Sequence, residues 1–167
     1  MALHTPKGNK LDIVFKNVRE DSSVHEKVIA FWKELQALPP QVDPNERAKQ
    51  LLFVAENNDE VIAVTTTHRI HVKSLNNRPF FNFRVLIHPS FRIPGLVDKL
   101  CVLSRDFLES LWLEKQTDCI GMITLAENKH LQLHRNEAVW PSSGFTFIGF
   151  SKSGSPIRIL YFKGAQV

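Results

Sequence analysis

The sequence predicts an α/β (α+β) domain: a mixed, mostly antiparallel central sheet flanked by helices on both faces. Short β-branched or aromatic runs and helical stripes follow one another in the order β-α-α-β-β-β-α-β-α-β-β. Two of the runs flank Asn57-Asn58-Asp59, which is hairpin-turn chemistry. A third run, Phe80–Ile87, leads through a turn into a long helical stripe and on to another strand, the pattern of a strand–helix–strand crossover. With 167 residues and no repeat or linker, the chain reads as a single domain over 11–167, preceded by a flexible arm at 1–10.

Taken in order, Leu11–Phe15 is the first strand. Val24–Leu38 carries a helical stripe of Val28, Ile29, Phe31, Trp32, Leu35 and Leu38, with Asp21, Ser22 or Ser23 as N-cap and Pro39-Pro40 as its stop. Asp43–Gln50 has the marks of a short second helix, because Asp43 caps, Pro44 suits the first helical position and Glu46 follows. Leu51–Glu56 and Glu60–His71 form the hairpin, and Lys73–Pro79 is a polar loop. After Phe80–Ile87 comes a helix with Leu96, Leu100, Leu103, Phe107, Leu108 and Leu111 on one face. Asp118–Leu125 is a strand, Asn128–Arg135 a short helix, and Gly144–Phe150 and Ile157–Phe162 are the closing strands.

Composition narrows the function classes. An apolar share of 43% and a charged share of 23% are those of a soluble globular protein. No apolar run approaches the roughly 18 residues of a membrane span, and Met1–Lys10 lacks the apolar region of a signal peptide, so no membrane is expected. The two cysteines, Cys101 and Cys119, sit in apolar contexts and not at metal-ligand spacing, which makes a reducing cytoplasm the expected compartment. A net charge of +4 suits an anionic ligand, but without a dense Lys/Arg stripe it does not point to nucleic acid.

The informative stretch is Phe80–Leu113. His88-Pro89 stops the strand, Ser90-Phe91-Arg92-Ile93-Pro94-Gly95 turns, and a helix begins. A strand that runs through a basic, glycine-containing turn into a helix is a place to bind phosphate, because the first helical turn has free N–H groups and a partial positive charge. Arg92-x-x-Gly95-x-Val97, after Ile87-His88-Pro89, resembles the acyl-CoA signature of the GCN5-related N-acetyltransferases. The resemblance implies that Arg92, Ile93, Gly95, Leu96 and Val97 hold the pyrophosphate of coenzyme A. It also implies that Leu86, Ile87 and His88 pair with the pantetheine arm. Val97 stands where the family has Gly or Ala, and Pro94 removes one amide donor.

A second stretch carries the same resemblance. Ala126–His134, followed by Gly144-Phe145, is similar to the family's Asn-x-x-Ala-Ile-x-Leu-Tyr and later Gly-Phe. Asn128 matches the asparagine, which the resemblance implies contacts the pantetheine or orders the helix start, Leu133 the leucine, and His134 falls at or next to the tyrosine; the segment before Gly-Phe is extended by Asn136–Ser143. The element order along almost the whole chain is also that of the family.

The activity so implied is N-acyl transfer, with acetyl-CoA or another acyl-CoA as co-substrate, to a primary amine on a small molecule or a protein. An imidazolium at His134 could protonate the departing thiolate, and His68, His71 or water could take the proton of the amine, since Phe80–His88 holds no carboxylate. His68 and His71, three apart on a strand, face opposite ways. Arg84 on an apolar strand either points to solvent or places a cation in the substrate cleft, and Trp140 is either core or substrate wall. His130 and His134 share a helical face, but no third ligand is signalled and no metal is expected. A non-catalytic binding or regulatory protein of the same fold is the alternative, favoured by Val97, Pro94 and the missing tyrosine. Either a monomer or a homodimer paired at the last strand accords with the sequence.

Overall fold

The computed structural model describes Leu3 and residues 11–166, with His130 and Leu131 described by their backbone alone. The arm expected at 1–10 lies outside these residues apart from Leu3, which is buried and whose carbonyl accepts from the Leu11 amide at 3.0 Å. Seven strands are described: β1 (Ile13–Asn17), β2 (Leu51–Asn57), β3 (Glu60–Val72), β4 (Arg78–Ile87), β5 (Gly121–Leu125), β6 (Thr146–Phe150) and β7 (Pro156–Tyr161). The helices are α1 (His25–Glu34), α2 (Pro44–Ala48), α3 (Leu96–Leu113) and α4 (Lys129–His134). The sheet order is β1-β2-β3-β4-β5-β7-β6. The β1–β2, β2–β3, β5–β7 and β6–β7 pairs are antiparallel and β4–β5 is parallel, so the expected mixed, mostly antiparallel sheet is present.

The chain forms two compact units, residues 1–67 with 85–100 and residues 68–84 with 101–167, and β3, β4 and α3 run through both. In the first, Val28, Phe31 and Trp32 of α1 pack with Leu51, Val54 and Val64 of the β2–β3 hairpin. β2 is buried along nearly its whole length, which is why it reads as a continuous apolar run and not as an alternation. Asn58 and Asp59 take φ of 51° and 61°, the left-handed pair that a two-residue hairpin needs. Glu56, on β2, is 3% exposed and is held by Lys16 of β1 and by Lys27 of α1, the latter at 3.1 Å. Burial alone would raise its carboxyl, but the two ammonium groups outweigh burial and hold it below the usual carboxylate range. In the second unit, Phe80, Ile120, Ile123 and Ile159 form a cluster against which Trp112 of α3 packs.

Several boundaries differ from the sequence reading, each for a local reason. α1 ends at Glu34 and not Leu38, because Gln36 adopts φ 48° and turns the chain before the prolines are reached. Asp21 caps as expected, its side chain accepting from the Ser23 amide, but it opens a 3-10 turn at Ser22–Val24 and not α1 itself. The polar loop expected at Lys73–Pro79 is a tight turn over residues 73–77, with Asn76 and Asn77 both at φ 53°, and β4 starts at Arg78 and not Phe80. β5 begins at Gly121, since the Cys119 amide turns onto Thr117 Oγ1 and only the Ile120 amide reaches Pro79.

Candidate active site

The basic turn lies in the first unit. β4 ends at Ile87, and the His88 amide still donates to the Ile62 carbonyl of β3 at 2.8 Å. His88 then caps a 3-10 turn at Pro89–Phe91, its Nδ1 accepting from the Ser90 amide at 3.1 Å. Its ring lies against Phe31 and edge-on to Phe91, at centroid distances of 6.4 and 5.9 Å. His88 is therefore the brace of the turn. Any contact it makes to a pantetheine arm would come from its main chain.

Beyond it, two amides are spent within the turn: Ile93 donates to Phe91 O at 2.8 Å and Leu96 to Ile93 O at 3.3 Å. The Ile93 side chain is buried, which anchors the turn. Gly95 takes φ 84°, where a side chain would be strained, and its carbonyl accepts the Lys99 amide that starts α3. The amides of Val97 and Asp98, second and third of α3, have no acceptor inside the helix by its geometry. Arg92 is exposed beside them. A diphosphate could be held by Arg92 and by the Gly95, Val97 and Asp98 amides. The carboxylate of Asp98 in the same helical turn offsets part of the dipole. Val97 is half-buried and Pro94 exposed.

Upstream, the parallel β4–β5 ladder consists of Phe81↔Met122 and Asn82↔Ile123 among the described residues, while β4 itself runs on to Ile87. The main chain at Leu86 and Ile87 is thus beyond the last described β5 partner on that side. Leu86 packs its side chain onto the α1 cluster.

The other expected residues lie in the second unit. His68, on β3, and Arg84, on β4, are half-buried and joined: Arg84 Nη1 meets His68 Nδ1 at 3.2 Å. His71 is exposed and separate from them, its Nε2 at 3.3 Å from Arg69, which also forks onto Asp118. Asp118 is held below the usual carboxylate range chiefly by that bond. The carbonyl of Asn128 accepts the Gln132 amide at 3.0 Å, so Asn128 starts α4. His134 is the last residue of α4 and exposed, and Leu133 beside it is 74% exposed.

Trp140 is buried, with its indole N–H donating to Arg135 O at 3.0 Å. Arg158 of β7 lies over its ring at 4.4 Å and donates to the carbonyls of Arg135 and Glu137 at 3.1 and 2.8 Å. Burial pulls the Arg158 guanidinium below its ordinary value. The sequence reading missed this arginine. Its signal was a lone cation inside Pro156-Ile157-Arg158-Ile159-Leu160, a pattern equally suited to an arginine pointing to solvent. Among the described residues no helix is long and apolar enough to cross a membrane, and no cluster of three or more His, Cys, Asp or Glu is placed to hold a metal.

No family model matches the chain. No curated protein matches it in sequence. Solved structures do match. A GNAT-family acetyltransferase from Streptococcus pneumoniae superposes with a TM-score of 0.61 at 9% identity, over 90% of this chain and 99% of that one. An agmatine N-acetyltransferase variant in its apo form gives 0.65 at 12%, over 90% and 100%. The putative acetyltransferase yncA from Salmonella typhimurium, solved with acetyl-CoA, gives 0.60 at 15%, over 93% and 96%.

Proposed function

Because the chain has the fold of the GCN5-related N-acetyltransferases, we propose that it is an acyl-CoA-dependent N-acyltransferase, moving an acetyl group from acetyl-CoA to a primary amine. The observation that carries this reading is the turn from His88 to Asp98, where Arg92, a left-handed Gly95 and the first amides of an 18-residue helix come together. Main-chain groups at Leu86 and Ile87 would line up the pantetheine arm, and an N–H there would meet the oxygen that becomes negative in the transition state. The neutral amine attacks the thioester carbonyl, the C–N bond forms and the C–S bond breaks. The thiolate takes a proton from an imidazolium at His134, and the proton released by nitrogen passes to water.

Water is preferred over His68 as proton acceptor for a reason of geometry. Guanidinium groups only donate, so the bond from Arg84 requires the lone pair of His68 Nδ1, and a neutral ring then carries its proton on Nε2. His68 has no basic nitrogen to offer while that bond stands.

The test is release of free thiol from acetyl-CoA in the presence of a panel of primary amines. His134→Gln is expected to lower kcat by about 10²-fold or more, the usual share of a positioned proton donor, with KM for acetyl-CoA unchanged. An unchanged kcat would remove His134 from that role. The non-catalytic alternative is favoured by one observation, an acidic residue, Asp98, in the first turn of α3. It predicts acetyl-CoA binding without thiol release for any amine.

A further inference from the structure

We infer that His88 is a positioning residue with a proton-dependent grip: neutral, its ring holds the turn that carries Arg92, and protonated, it releases that turn and pairs with Glu34. The inference rests on the acyltransferase reading above and adds regulation by pH to that same site.

The argument starts from the proline. Pro89 has no N–H, so the first amides of the turn at Pro89–Phe91 are those of Ser90 and Phe91, and His88 takes both. Its carbonyl accepts from Phe91 at 2.9 Å and its Nδ1 from Ser90 at 3.1 Å. The bonds then pass onward, Ile93 donating to Phe91 O and Leu96 to Ile93 O, until α3 begins. Arg92 follows directly on the turn and lies inside this chain of bonds. The chain ahead of the helix is thus tied at its start to one ring nitrogen.

A backbone N–H only donates, so Nδ1 must offer a lone pair, and a neutral ring then carries its proton on Nε2. An imidazolium has an N–H on both nitrogens and nothing with which to accept from Ser90. Protonation of His88 and the Ser90 bond therefore exclude each other. An asparagine in the same place would cap without regard to pH.

The surroundings give the imidazolium a partner. Nε2 lies 4.0 Å from Oε1 of Glu34, the last residue of α1, too far for a hydrogen bond but at ion-pair distance once the ring is charged. Glu34 is the titratable group that faces the ring among the described residues. Phe31 of α1 and Phe91 of the turn lie against it without charge, and β3 contributes the Ile62 carbonyl, already taken by the His88 amide. Lys33, next to Glu34, and Arg92 are exposed cations. An imidazole changes charge between about pH 5 and 8, so the turn is capped above that window and loosens as the pH falls through it. The new positive charge attracts phosphate and opposes this trend, but it is shared with Glu34 and screened by water.

The test uses the full chain labelled with ¹⁵N, and its first arm needs no ligand. At pH 8 the His88 ring is expected as the Nε2–H tautomer, and between pH 8 and 5 the Ser90 amide resonance is expected to move with the midpoint of the ring. A Ser90 amide that ignores the titration of the ring, or a ring protonated on Nδ1 at pH 8, would overturn the inference. The second arm is acetyl-CoA affinity at pH 8 and pH 5.5. His88→Asn keeps a capping oxygen, has no proton to gain and subtracts the titration of the ligand's own phosphates. The wild type is expected to weaken over that interval by about fivefold more than the variant. Equal weakening in the two proteins would also overturn the inference. Absence of saturable acetyl-CoA binding at pH 8 counts against the acyltransferase reading by itself, and the spectra decide the inference even then, whether or not the variant folds.

Discussion

Gly121→Ala is expected to leave no folded protein. Gly121 is the first residue of β5 and pairs with Tyr161 of β7. A Cβ there would stand 2.1 Å from the Leu160 carbonyl oxygen and 3.1 Å from Phe80. The first of these is main chain in the middle of the sheet and cannot turn aside, unlike the end of a flexible side chain. Relief requires β7 to move away from β5, and with it the five-pair β5–β7 ladder and the cluster of Phe80, Ile120, Ile123 and Ile159. Ordinary overpacking costs about 1–3 kcal/mol, and a main-chain clash of this depth belongs above that range, comparable with the whole stability of a domain of about 5–15 kcal/mol. Gly154→Ala is the control: its φ is 82°, but nothing lies within 4 Å, so only the backbone cost of about 1–2 kcal/mol applies. Circular dichroism and urea unfolding of the two proteins make the comparison, and a cooperative transition for Gly121→Ala near that of the wild type would contradict it.

Arg158→Met is expected to cost about 1–3 kcal/mol, the usual consequence of leaving buried carbonyls without their donor. The guanidinium is 3% exposed and serves the carbonyls of Arg135 and Glu137 while covering Trp140. Without it those carbonyls lose their donor, and the segment between α4 and β6 loses the staple that fixes its course. The effect should be local as well as global. Limited proteolysis is expected to cut between residues 135 and 143 in the variant before any other site, and Arg158→Lys, which keeps the charge but not the two-pronged reach, should fall between. A lowered urea midpoint with unchanged cleavage in that segment would mean that Arg158 supports β7 alone.

Much of the fold is legible in the residues because its elements are punctuated locally. Asn57-Asn58-Asp59 dictates a hairpin, Asp43-Pro44 starts a helix, and His88-Pro89 ends a strand, each through backbone restrictions that need no tertiary knowledge. The differences arise where backbone conformation is chosen by packing. Gln36 leaves the helix a turn before Pro39, and Asn76-Asn77 closes a tight turn inside what reads as a loop. The candidate site divides the same way. The turn at Arg92–Val97 is contiguous and so visible as a motif, and His88 as a strand end follows from Pro89. The Arg84–His68 pair joins residues on two strands, and Arg158–Trp140 joins a strand to a distant loop; both depend on register, which no local pattern encodes. The sequence leaves Trp140 between core and substrate wall, and in the structure its side chain is buried.

The central claim is that the turn after β4 holds the diphosphate of an acyl-CoA, and calorimetric titration of the purified full chain with acetyl-CoA tests it most directly. Saturable one-to-one binding is expected in the wild type. Arg92→Glu, which replaces an exposed donor by a like charge beside the phosphates, is expected to lose at least a hundredfold in affinity, and wild-type binding is expected to weaken on raising the salt. Absence of heat at millimolar acetyl-CoA, or binding that Arg92→Glu leaves untouched, would contradict it.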